Sequence, residues 1–200
     1  PYTTLFRSLV EQLDALGATE PSVLVFFAAV EHDGAVIGQR LEARYPGAEV
    51  LGCSGNGEFT QTGWGKGSVA VLALGDDMVV RATSALAAHE SGIEAGVKAA
   101  ARAMSDALDC ELRDLDPQRY VGIALLEGAK GREEKINEAL GNVAPLLGFV
   151  GGSAGDNIQF QRTWVFCEGR VEHDASALLV MEMRGPFTVL KTCNFVATPV

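Results

Sequence analysis

Leu5, Leu9, Leu13 and Leu16 fall at three- and four-residue intervals near the start of the chain, and Gly17 follows them. That spacing predicts an amphipathic helix, opened by Thr3 or Thr4 and ended by the glycine. The pattern changes at residues 23–30, which are almost wholly apolar and rich in β-branched and aromatic side chains. A short run of this kind predicts a strand covered on both faces. Asp33 is placed to cap a second helix carrying Ile37, Leu41 and Tyr45 on one side, with Pro46 and Gly47 as its stop. Residues 49–53 read as a second strand that leads into a glycine-rich loop. Two further strands, 68–74 and 78–84, are joined by a tight turn at Gly75, Asp76 and Asp77.

Ser91 and Glu94 have capping-box spacing ahead of a long helix whose buried stripe is Ile93, Val97, Ala100, Met104 and Leu108. Residues 120–126 are again apolar throughout, and a helix bearing Ile136, Leu140 and Val143 ends before Pro145. A strand at 147–150 enters a second glycine loop. Strands at 163–167, 175–183 and 187–195 complete the chain, the first closed by a turn at Glu168 and Gly169.

This order contains the same β-α-β-loop-β-β unit twice, over about 21–86 and 119–195, and predicts an internal duplication within a single domain. The fold class is α/β, with mixed sheet order and helices on the outer faces. Strands that are apolar on both sides must be covered twice. Either one sheet carries helices on both faces, or two sheets stack in a four-layer α-β-β-α sandwich.

Composition narrows the functions. Sixteen Lys and Arg against 26 Asp and Glu give a net charge of −10, and the basic residues are scattered, which argues against a nucleic-acid partner. No apolar run approaches the ~20 residues of a membrane-spanning helix, and no basic-then-apolar leader is visible. The four cysteines, at 53, 110, 167 and 193, form no C-x-x-C pair, so a zinc ribbon or dithiol redox motif lacks its spacing. Reduced thiols in a cytoplasmic compartment are the expectation. The chain opens on Pro1 and closes on Val200 directly after an apolar stretch, the pattern expected of a piece of a longer protein.

Glycine is the strongest chemical signal. There are 23, and they cluster at 52–67 and 148–155. Gly151, Gly152, Ser153, Ala154 and Gly155 satisfy G-x-S-x-G, the nucleophile elbow of some hydrolases, but the residues that follow carry no helical stripe. A loop of this composition at a strand end instead supplies free backbone amides, small hydroxyls and a nearby acid. The predicted ligand-binding residues are Cys53, Ser54, Gly55 and Glu58 from the first loop and Gly152, Ser153, Gly155, Asp156 and Asn157 from the second. The amides would take a ligand carboxylate, while Glu58 or Asp156 would pair with an ammonium. The competing expectation is that the glycines only form turns which the acids cap. No catalytic residue and no metal ligand is predicted. Val-Glu-His-Asp occurs at 30–33 and 171–174, but the two copies fall in unlike contexts and read as local caps or a chance repeat. Trp64, between Gly63 and Gly65, is expected to fold onto the core, and His89 to be exposed.

The segment from Tyr45 through Cys53, Ser54, Gly55 and Glu58 to Phe59 resembles the loop region of the FIST N-terminal domain family, as does the segment from Gly148 to Asp156. The ordered pair, with its matching strands, is more specific than either loop alone, and the similarity runs from about residue 21 to 195. The resemblance implies a bacterial sensory domain that binds small ligands such as amino acids and acts with a signalling protein or a C-terminal FIST domain. That second domain would begin about where this chain stops. It also brings in haem as an alternative ligand, since some family members resemble haem-binding nitric oxide sensors. Asn56 departs from the small residue, such as alanine, common at that point in family loops.

Overall fold

A computed structural model of the chain describes residues 2–15, 17, 20–61, 63–159 and 161–190. In order, the elements are α1 (Tyr2–Ala15), β1 (Pro21–Ala29), α2 (Gly34–Arg44), β2 (Glu49–Gly55), β3 (Glu58–Thr60), β4 (Gly63–Gly65), β5 (Val69–Gly75) and β6 (Val79–Ala88). These are followed by α3 (Ile93–Leu108), a 3-10 turn (Leu112–Asp114), β7 (Tyr120–Leu126), α4 (Glu133–Val143), β8 (Gly148–Ser153), β9 (Val165–Cys167), β10 (Arg170–Glu172) and β11 (Ala175–Met183).

The strands form two main sheets, β10-β9-β2-β1-β5 and β6-β11-β7-β8, besides the small β3-β4 hairpin. Each contains one parallel pair built by a strand-helix-strand unit: β1 with β2, joined through α2, and β7 with β8, joined through α4. The remaining pairs are antiparallel. Alternation along the strands explains how the layers stack. Val23, Val25, Leu51 and Cys53 of the first sheet meet Leu86, Ile123, Leu125, Ala177 and Leu179 of the second in one buried layer. On the far side of the first sheet, Leu24, Phe26 and Val50 pack against Leu9 and Leu13 of α1 and Ile37 and Leu41 of α2. Beyond the second sheet, Ala124, Leu178 and Val180 pack against Val97 and Met104 of α3 and Ile136 and Leu140 of α4. The molecule is therefore a four-layer α-β-β-α sandwich, the second of the two arrangements open to the sequence.

Several local expectations hold. The Asp33 carboxylate accepts from Val36 N at 3.1 Å to cap α2, and Gly17 adopts φ +80 beyond α1. Others need correction. The helix α1 already includes Thr3 and Thr4, so neither residue starts it. The N-cap of α3 is Gly92, with φ +101 and no side-chain cap bond, so the Ser91–Glu94 box does not form; the backbone turns once more after Ser91 before helical geometry begins. Strand β6 continues past residue 84 to Ala88, because β11 supplies partners along that whole length. Of the strand expected at 187–195, residues 187–190 have no strand pairing, and 191–195 lie outside the described residues.

Candidate functional site

Parallel strands in an open α/β sheet direct their carboxyl ends to one side, where ligands commonly bind. Here the carboxyl ends of β2 and β8 carry the two glycine loops, and the loops touch. Gly155 N donates to Ser54 O at 2.8 Å, and Asn157 N donates to Asn56 Oδ1 at 2.7 Å. Ser54 also closes onto the strand that follows the second loop: its N donates to Trp164 O at 3.0 Å, and its Oγ accepts from Trp164 N at 3.1 Å. Thus Glu58 and Asp156 lie at the same end of the molecule, joined by a continuous run of contacts.

The nine predicted residues divide by what they touch. Cys53 is buried between the sheets, where desolvation, with a smaller contribution from Glu58, pushes its thiol up to about 12. Ser54 is buried, and its hydroxyl is engaged by Trp164 N. Asp156 is buried too, and its carboxylate accepts from Gln159 N, Gln161 N and Arg162 N at 3.0, 2.6 and 3.0 Å. This folds residues 156–162 into a tight loop in which Asn157 and Ile158 take positive φ of 59 and 63. Gly152 and Ser153 are exposed, and Ser153 Oγ donates to Glu133 Oε1 at 2.9 Å. Gly55, Gly155 and Asn157 are half-buried.

Glu58 differs from Asp156. Its Oε2 accepts from Ser68 Oγ at 2.8 Å, whereas Oε1 is buried and has no hydrogen-bond partner among the described residues. That free oxygen stands 2.7 Å from the place where a β-carbon on Gly55 would lie. Gly55 follows Cys53 by two residues and so faces the same way, toward the gap between the sheets. A β-carbon there would require the Glu58 carboxylate to shift.

Two residues outside the nine predicted ligand contacts share this end. Glu127, directly after β7, is 1% exposed; its Oε1 accepts from Ala129 N and from Thr163 Oγ1, while Oε2 has no partner. An acid closing an otherwise apolar strand was its only signal. His89 is 4% exposed, contrary to expectation, because β6 and β11 remain paired up to Ala88 and Ala175 and hold the ring against Ser176. Its Nε2 lies 3.1 Å from Ser176 Oγ and its Nδ1 lies 3.5 Å from Asp174 Oδ1. This order of atoms resembles a Ser-His-Asp relay, but Ser176 is wholly buried and His89 Nδ1 makes no hydrogen bond among the described residues. Burial holds the His89 imidazole below its ordinary pKa. Asp174 is held below the usual carboxylate range chiefly by Lys130, with Arg132 also paired to it.

The G-x-S-x-G segment lacks the helix an elbow needs; after Gly155 the chain forms the Asp156 loop. Trp64 is 65% exposed rather than folded onto the core, because β3 and β4 form a separate hairpin in which it pairs with Phe59, itself 78% exposed. No cluster of three or more metal-ligating side chains exists among the described residues. His32 contacts Gly67 O, and His173 contacts Thr163 O and Arg162. The thiols of Cys53 and Cys167 are both pushed up to about 12 by burial, and are thus far from thiolates at neutral pH. No described helix is long and apolar enough to cross a membrane.

The described residues thus form a two-sheet α/β sandwich whose glycine loops meet beyond its strand ends. The FIST N domain family model matches residues 22–199, and the chain belongs to that family, whose members are generally regarded as small-ligand sensory domains of signalling proteins. No curated protein matches the sequence.

Proposed function

We propose that this chain is a non-catalytic sensory domain that binds a small metabolite where its two glycine loops meet. The observation that carries the reading is Glu58 Oε1, buried without a partner above Gly55 at the loop junction. A buried carboxylate oxygen is costly to leave unsatisfied, and a ligand N–H would relieve that cost. An amino acid fits this chemistry, with its ammonium on Glu58 and its carboxylate on the exposed Gly152–Ser153 edge of β8. In this reading Ser54 and Asp156 hold the loops in place, and Gly55, Gly155 and Asn157 shape the contact. Cys53 supports it from beneath.

Glu58 is also the first residue of β3. Pulling on its carboxylate therefore moves the hairpin that displays Phe59 and Trp64, which gives binding a route to a signalling protein or an adjoining C-terminal FIST domain. A ligand drives such a shift only through different affinities for two states. Family membership and the unpaired Cys53, Cys110 and Cys167 support a bacterial, cytoplasmic setting.

Thermal denaturation against a metabolite panel tests the reading. One class of compound is expected to raise Tm in proportion to the logarithm of its concentration above Kd, equivalent to about 2.7 kcal/mol of added stability at a hundredfold excess, and Glu58→Gln is expected to remove the response. A response that survives intact in a folded Glu58→Gln variant contradicts the assignment.

A further inference from the structure

Glu58 is one of two carboxylates at this end of the molecule with a buried, unpartnered oxygen; the other is Glu127. Glu58 opens the β3–β4 hairpin, and Glu127 follows β7 of the second main sheet. Glu58 Oε1 lies on the face of Gly55 that points between the sheets, above Cys53 of the inter-sheet core. Glu127 follows β7 of the second sheet, yet its Oε1 accepts from Thr163 Oγ1, on the segment that enters β9 of the first sheet, so its side chain spans the gap. A direct run of contacts joins the two, from Glu127 to Thr163, along the chain to Trp164, across to Ser54 and Gly55, and so to Glu58.

Neighbouring cations do not fill the need. Lys130 and Arg132 pair with Asp174, and among the described residues the side-chain hydrogen bond of Glu58 comes from the neutral Ser68 hydroxyl. Two buried acceptors of the same sign, each lacking a donor, are complementary to a molecule with N–H donors at two separated points. The overall charge of −10 favours the approach of such a cation.

We propose that Glu127 is the second anchor of the ligand site and that the ligand is a small organic dication, of the diamine type, bridging Glu58 and Glu127 across the inter-sheet gap. This rests on the binding-site reading given above and deepens it. The length of the linker is set by the gap, so a matched diamine binds and a monoamine of equal carbon number binds weakly.

The test is calorimetric titration of the full chain with 1,4-diaminobutane, 1,5-diaminopentane, 1-aminobutane, butane-1,4-diol and an amino-acid set. The expected result is saturable binding of one diamine, at least roughly tenfold tighter than 1-aminobutane, which Glu127→Gln and Glu58→Gln each weaken roughly ten- to hundredfold. Circular dichroism establishes that the variants fold; should Glu127→Gln fail to, the diamine-to-monoamine ratio in the unaltered chain decides. Equal binding of diamine and monoamine, or diamine binding indifferent to Glu127→Gln, overturns the proposal. Amino-acid binding that needs Glu58 but not Glu127 overturns it while leaving the sensory reading standing. Failure of every compound on the panel counts against both.

Discussion

Glu58 and Asp156 are both acids in glycine loops, and the sequence gives them equal standing as ligand contacts. Their surroundings separate them. Three backbone amides of residues 159–162 saturate Asp156, which makes it the knot of its own loop. That outcome depends on Asn157 and Ile158 adopting positive φ, which an isoleucine does not advertise. Asp156→Ala is therefore expected to destabilise the fold by about 1–3 kcal/mol, and Asp156→Asn by less, read as a lower urea midpoint at unchanged m. An Asp156→Ala variant as stable as the parent would return this carboxylate to the pool of ligand contacts.

A second residue-scale prediction lies at the opposite end of the strands. Glu182, 5% exposed, accepts from Tyr120 Oη at 2.8 Å and from Arg81 Nε at 3.0 Å, and also pairs with Arg119. Arg81 in turn donates to Leu108 O at 3.1 Å, at the carboxyl end of α3. The Tyr120 hydroxyl, then the two arginines, hold the Glu182 carboxyl below its ordinary pKa against the opposing effect of burial. A depressed carboxyl pKa contributes stability above the unfolded value and loses it as pH falls through the folded value. Acid unfolding of the parent is expected to show this loss below about pH 4.3, the unperturbed glutamate value, and Glu182→Gln to flatten that limb. Equal acid limbs would show that Glu182 contributes no proton linkage.

Helices and strands were legible where one face or both had to be apolar over several turns or residues. The stripe Val97, Ala100, Met104, Leu108 is the buried side of α3, and 175–183 is the strand β11, buried along nearly all its length. Boundaries set by backbone contact were not legible. The close approach of α3 to β6 relies on Gly96, where a β-carbon would fall 1.9 Å from Ala88 O. Gly96→Ala is expected to cost about 1–3 kcal/mol by forcing the helix off the strand, read from thermal denaturation. Stability within 0.5 kcal/mol of the parent would show that the interface relaxes freely. The three-residue strands β3 and β4 escaped notice because so short a run has no period, and Trp64 looked like core until its pairing with Phe59 placed both in solvent.

At the scale of the whole molecule, an apolar strand reads the same whether its cover is a helix or a second sheet. The sequence consequently predicted doubly covered strands without deciding between one sheet and two. The stacking follows from β6 and β11, which pair with each other and pack their inward faces on β1, β2 and β9. It also brings Glu127 of one sheet to Thr163 of the other, a pairing with no sequence signature because 36 residues separate them. The two glycine loops were recognisable individually, and the fold supplies their contact through Ser54 and Gly155. Nuclear magnetic resonance mapping of amide shifts during titration with the ligand class that raises Tm tests the central claim most directly. The account predicts saturable changes centred on Gly55, Glu58, Gly155 and Asn157. Changes confined instead to the cleft between α1 and β5, lined by Leu9, Leu13, Val69 and Val71, would contradict it.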